Sequence, residues 1–185
     1  MLKKIVSMLL ALCLAAVAFV PAFAENAQAA EKKVVNWDEA RQKQFADAGF
    51  AGELKAFGPS GVSVIIPNDY TQAGLTDESA AAGTLAAFAK ADGSMIAIVQ
   101  TKPVGVKFHN MDDVESSARQ GDPNGNFQCA IVNGLDVLIY IIPKKDVSTI
   151  MTLLDNGEMF TVTCTNLSAN KDLCSFVASS LQIRK

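Results

Sequence analysis

The chain has 185 residues, half of them apolar and 19% charged, with 12 glycines, 6 prolines and a mean hydropathy of +0.22. That balance excludes a disordered or collagen-like chain and fits a single globular domain. Lys and Arg number 16 against 19 Asp and Glu, and no stretch concentrates the bases beyond the Lys144, Lys145 pair. Nucleic acid and anionic membrane surfaces are therefore poor partners.

The first two dozen residues read as a secretory signal peptide. Lys3 and Lys4 form a basic start, Ile5 to Val20 an apolar run, Pro21 a helix breaker, and Ala22-Phe23-Ala24 a small-x-small cleavage site. The run is shorter than the roughly 20 residues that span a bilayer, so no stable membrane anchor is expected. Cys13 does not read as a lipidation site, because Leu12 stands where a small residue is needed and the better cleavage site lies downstream. A second small-x-small triplet, Ala27-Gln28-Ala29, leaves the mature start open between the two. Cleavage after Ala24 removes Lys3 and Lys4, so that 14 bases face 19 acids and the net charge becomes −5. The expected organisation is a signal peptide over 1–24, a flexible leader over 25–35 and one domain over 36–185, with the product secreted or held in the cell envelope.

Asn36-Trp37-Asp38-Glu39 reads as a helix cap with acid in the first turn, predicting a helix over 37–48 that closes at Gly49. Phe57 to Gly61 is a turn cluster, and Val62 to Ile66 a short strand ended by Pro67. One helical turn is expected over 77–81, then strands over 84–90 and 94–101 around the Asp92-Gly93 turn. Asn110 caps a helix running to about Arg119, with Asp112, Asp113 and Glu115 in its first turns, where the helix dipole favours acid. Two hairpins follow: 127–132 with 135–142 around Asn133-Gly134, and 147–154 with 158–166 around Asp155-Asn156-Gly157. On the last strand Phe160, Val162 and Cys164 fall on one face and Thr161, Thr163 and Thr165 on the other. Ser168 is read as the cap of a final helix carrying Leu173, Phe176, Val177 and Leu181 at helical spacing. Helices and successive hairpins without βαβ alternation predict an α+β fold: a mostly antiparallel sheet of about six or seven strands flanked by helices.

The helix end Ala48-Gly49-Phe50, the loop Ile66-Pro67-Asn68-Asp69-Tyr70, the Asn133-Gly134 and Asn156-Gly157 turns and the final Ser180-Leu181-Gln182-Ile183 resemble small secreted bacterial proteins of the PsbP/Mog1-like type. The resemblance covers most of residues 36–185. It implies an antiparallel sheet flanked by helices, in a fold whose members include photosystem accessory subunits and a small-GTPase-binding protein, hence interaction modules rather than one activity.

Residues with chemistry are few. His109 is the one histidine, and Asp112 and Asp113 are the acids that could join it at a cation, although helix capping explains both without a ligand. No Gly-x-Ser-x-Gly elbow, EF-hand spacing or phosphate-binding glycine loop is present, so no catalytic set and no cofactor is expected. Three cysteines would remain in a mature chain: Cys129, Cys164 and Cys174. A Cys164–Cys174 disulfide would need a strand and an overlying helix to approach within the bridging range, and the alternative is three buried thiols acting as small hydrophobes. Tyr70, Phe108 and Met111 fall on expected loops or helix starts, where each could anchor a partner or plug the core. The reading that results is a non-enzymatic binding module for a protein, polymer or small ligand outside the cytoplasm. Its alternative is an extracellular hydrolase using His109 with a nearby acid or serine.

Overall fold

A computed structural model describes residues 32–170 and 172–183; the expected signal peptide lies outside them. Four α-helices are described: α1 (Glu39–Asp47), α2 (Asp77–Ala81), α3 (Met111–Gly121) and α4 (Leu173–Ser179). The strands are β1 (Lys33–Val35), β2 (Gly52–Phe57), β3 (Val62–Pro67), β4 (Thr71–Ala73), β5 (Thr84–Ala89), β6 (Met95–Thr101), β7 (Asn126–Val132), β8 (Leu135–Ile142), β9 (Val147–Leu153), β10 (Met159–Thr165) and β11 (Gln182–Ile183). Eight of them form one sheet in the order β1-β7-β8-β9-β10-β6-β5-β4, and β11-β3-β2 form a second, smaller one. The class is α+β, as the hairpin signals predicted. Every pair is antiparallel except β1 with β7.

The hairpins lie where their turn residues place them. Asn133 and Gly134 both take positive φ (49° and 83°), the two left-handed residues of a type I′ turn whose twist matches the flanking strands. Asn133 does more than turn the chain. Its side-chain Oδ1 accepts from the Trp37 N–H at 2.6 Å, and its Nδ2 donates to the Ser179 and Leu181 carbonyls at 3.0 and 2.8 Å. One amide thus ties the β7–β8 turn to the start of α1 and the end of α4.

The alternation on β10 sets the layers. Phe160, Val162 and Cys164 are buried in the main core with Ile96 and Ile98 of β6, Val64 of β3 and Phe176 of α4. Phe45 of α1 joins there, its ring 5.2 Å from Phe176 and stacked at 5.8 Å on Trp37. The opposite face of the sheet carries a second cluster, in which Met111, Val114 and Ala118 of α3 pack on Leu138, Met151 and Met159. Their spacing along α3 is the i, i+3, i+7 stripe of a helix with one apolar face.

Several expectations are corrected. Helix α1 starts two residues late, because Asp38 and not Asn36 is its cap, extended and accepting from the Arg41 N–H at 2.9 Å, while the Trp37 N–H is taken by Asn133. The expected leader ends early: Lys33, Val34 and Val35 pair in parallel with Ala130, Ile131 and Val132. Two β-branched residues in a row suit an edge strand, a signal too short to register against the polar stretch before it. Ser168 caps no helix; its N–H and hydroxyl both bind the Asp146 carboxylate, and α4 begins after Asp172, which makes no side-chain cap bond. Cys174 consequently sits in the first turn of its helix. Strand β2 was not foreseen, because the polar–apolar alternation of Glu53, Leu54, Lys55 and Ala56 is short; it lies outermost in the small sheet, with Leu54 and Ala56 both exposed.

Candidate functional site

The second face of the large sheet is incompletely filled. Between α3 and the strands lies a cavity of about 440 Å³, within the range of roughly 300–1,000 Å³ typical of small-molecule sites. Pleating decides its floor: Thr149 and Met151 flank the core-facing Ile150 on β9, Met159 and Thr161 flank Phe160 on β10, and Val99 follows Ile98 on β6. Val114, Ser117 and Ala118 of α3 form the roof. The loop after β6 closes one side with Lys102, Pro103, Val104, Val106 and Phe108, and the end of α2 contributes Ala81 and Ala82. Gly83 lines the same wall; a Cβ there would press on the Gln100 carbonyl and the Thr101 methyl.

That loop is unusual in composition. It is apolar at its tip, and Val104 stands 86% exposed beside the cavity, the most exposed large apolar side chain described. Gly105 follows with φ +77°, a conformation that lets the chain reverse without drawing Val104 inward.

At the β7–β8 end, Phe127 stacks on Tyr140 with ring centroids 4.5 Å apart, and the Arg119 guanidinium sits 5.1 Å above Phe127. The Tyr140 hydroxyl donates to Asp122, and burial together with that carboxylate pushes its pKa up to about 12, so the phenol stays neutral. Behind this stack the Cys129 thiol donates to Glu115 at 2.8 Å, while Glu115 pairs with Arg119 at 2.7 Å. Burial and the neighbouring carboxylate push the Cys129 thiol up to about 12. Such a thiol is not a nucleophile near neutral pH. Burial also works to raise the Glu115 pKa, but the Cys129 and Arg119 hydrogen bonds outweigh it and hold the carboxyl below its ordinary value.

Phe108 alone of the expected anchors reaches the cavity. Met111 is buried in the second cluster, where its sulfur accepts from the Leu153 N–H at 3.1 Å. Tyr70 is buried in the main core; its hydroxyl lies beside Ser94 with no hydrogen bond of normal geometry, and burial pushes its pKa up to about 12. His109 is exposed, and its backbone N–H donates to Asp113 at 2.8 Å. Asp112 is turned elsewhere, to the Lys32 ammonium at 2.8 Å, which Asp136 also binds. The candidate acids are thus a cap and an ion pair, and no group of three or more metal-ligating side chains gathers among the described residues. Cys129, Cys164 and Cys174 are free thiols; Cys174 Sγ lies 2.8 Å from Ser148 Oγ, and Cys164 is fully buried.

Sequence reasoning passed over the residues that make the cavity. Two signals were available: the face of β10 opposite Phe160, and the apolar stripe of α3, which had to cover something other than the main core. Where they meet depends on β10 lying between β9 and β6, and the β10–β6 contact is a long-range pairing that local spacing does not encode.

No family model matches the chain, and no curated protein matches it. Among solved structures the chain is similar to the solution structure of a cyanobacterial PsbP (CyanoP) from Synechocystis sp. PCC 6803, at 12% identity and a TM-score of 0.47, over 71% of this chain and 92% of that one. The likeness is one of fold.

Proposed function

We propose that the chain is an exported, non-enzymatic binding module whose site is the cavity between α3 and the large sheet, taking a small apolar ligand. The observation that supports this most is the lining: Val99, Val114, Ala118, Met151 and Met159 surround a space of ligand size that the protein's own side chains leave unfilled. Apolar cavities of this kind favour apolar guests, and methionines adapt their shape to them. Chemistry is not favoured by the same wall, because none of its side chains is paired as a nucleophile with a base. Export is supported by the basic start, apolar run and cleavage triplet at the N-terminus.

Calorimetric titration with dodecanol tests the reading. One equivalent is expected to bind, and Ala118→Leu, which fills the roof, should weaken binding tenfold or more, about what the loss of space for three methylenes implies. Absence of binding, or binding untouched by Ala118→Leu, would overturn it.

A further inference from the structure

The site just proposed has a charge pattern that narrows its ligand, and the narrower claim rests on that reading. Among the residues lining the cavity, Lys102 alone carries a charge at neutral pH. Tyr140 is neutral and already donates to Asp122. The acids on the roof helix are committed elsewhere, Asp112 to Lys32, Asp113 to the His109 amide, and Glu115 to Arg119 and Cys129. Lys102 makes no ion pair or hydrogen bond to a described residue. The acid that feels its charge is Glu158, whose carboxylate is taken by the Gln100 and Asn156 amides. Lys102 is exposed, so its ammonium stands at the opening, with the apolar floor behind it.

We propose that the ligand is a single-chain amphiphile with an anionic head, in its simplest form an alkyl carboxylate, whose tail lies under α3 and whose head meets Lys102 at the opening. An apolar interior with one unpaired cation at its rim complements such a molecule at both ends. A neutral chain uses only the interior, and a cationic one is repelled at the rim. The volume suits one chain and not a bulky polymer.

The test titrates the full chain with dodecanoate and with dodecanol below their aggregation limits, at low salt and at 0.5 M salt. Dodecanoate is expected to bind about fivefold tighter, the scale of one solvent-exposed charge pair, and added salt should shrink that margin because such pairs are screened. Lys102→Gln should erase the preference by bringing dodecanoate down to the affinity of dodecanol for the same variant, and its melting temperature, expected within about 2 °C of wild type for a substitution at an exposed position, checks that the fold is kept. Equal binding of the two ligands, or a preference that survives Lys102→Gln, would overturn the charge assignment and leave the apolar site standing. Failure of both ligands to bind would overturn the site itself.

Discussion

Replacing Ala118 by leucine adds three carbon atoms to the roof of the cavity, at a helix position only 9% exposed and packed against Met151 and Met159. If the space is open, all three carbons leave water. At about 0.8 kcal/mol per buried methylene the upper limit of the gain is about 2.4 kcal/mol. Fixing a leucine side chain costs about 0.5–1 kcal/mol, and leucine is nearly as good a helix former as alanine. The net is a stabilisation of about 1.5 kcal/mol, or a rise in melting temperature of roughly 3–6 °C for a domain of this size. Were the region packed, the same carbons would force side chains from their rotamers and cost about 1–3 kcal/mol. The sign therefore decides. Urea titrations of wild type and variant, analysed at equal slope, measure it directly; any loss of stability would refute the existence of the cavity and the function built on it.

Asn133→Ala removes three hydrogen bonds and leaves two carbonyls and one N–H without partners, while placing alanine in a left-handed conformation; a loss of about 2–4 kcal/mol is expected by denaturant titration, and a loss under 1 kcal/mol would mean that the side-chain clip is not needed. Asn133→Gly, which restores the backbone preference, should recover only the smaller, conformational part. On the alkaline side, Cys129, Tyr140 and Tyr70 are each pushed up to about 12 from ordinary values of 9.0 for the thiol and 10.0 for the phenols. An unfolded chain would release these protons earlier than the folded one, so stability should be full below pH 9 and fall as the pH climbs toward 12; a midpoint flat over that interval would show that these groups are not held protonated by the fold.

How far the sequence speaks is uneven, and the reason is the range of each signal. The Asn133-Gly134 and Asn156-Gly157 turns, the 77–81 helix and the Asn110 cap are local: their residues determine backbone angles within a few positions, and each element stands within a residue or two of its expected place. The errors fall where a distant partner decides. Asn36 lost its cap role to Asp38 because Asn133, nearly a hundred residues on, takes the Trp37 N–H. Ser168 lost its role to hydrogen bonds with the Asp146 carboxylate, and β1, β4 and β11 are too short to show a period, β1 and β11 pairing besides with strands far along the chain. The cavity was the least legible, since it is a property of what α3 fails to fill: Ala118 and Met151 look individually like ordinary core residues, and Thr161 reads only as the polar face of its strand. Phe108 was visible only as an aromatic on a loop, with nothing to say that the loop bends over an apolar floor.

The lone parallel strand has a consequence for where this domain can safely be cut. With β1 seated, the Ala130–Val132 margin of the large sheet has its backbone partners supplied from within the chain. A protease that clipped just before Asn36 would take only Val35 from the margin of the main core and the Lys32 ion pair from α3, yet would lay bare a strand margin able to recruit a second copy or a foreign strand. Three residues, two of them exposed, thus stand between the folded monomer and self-association, and the useful limit of the domain is set by that exposed margin rather than by its hydrophobic interior.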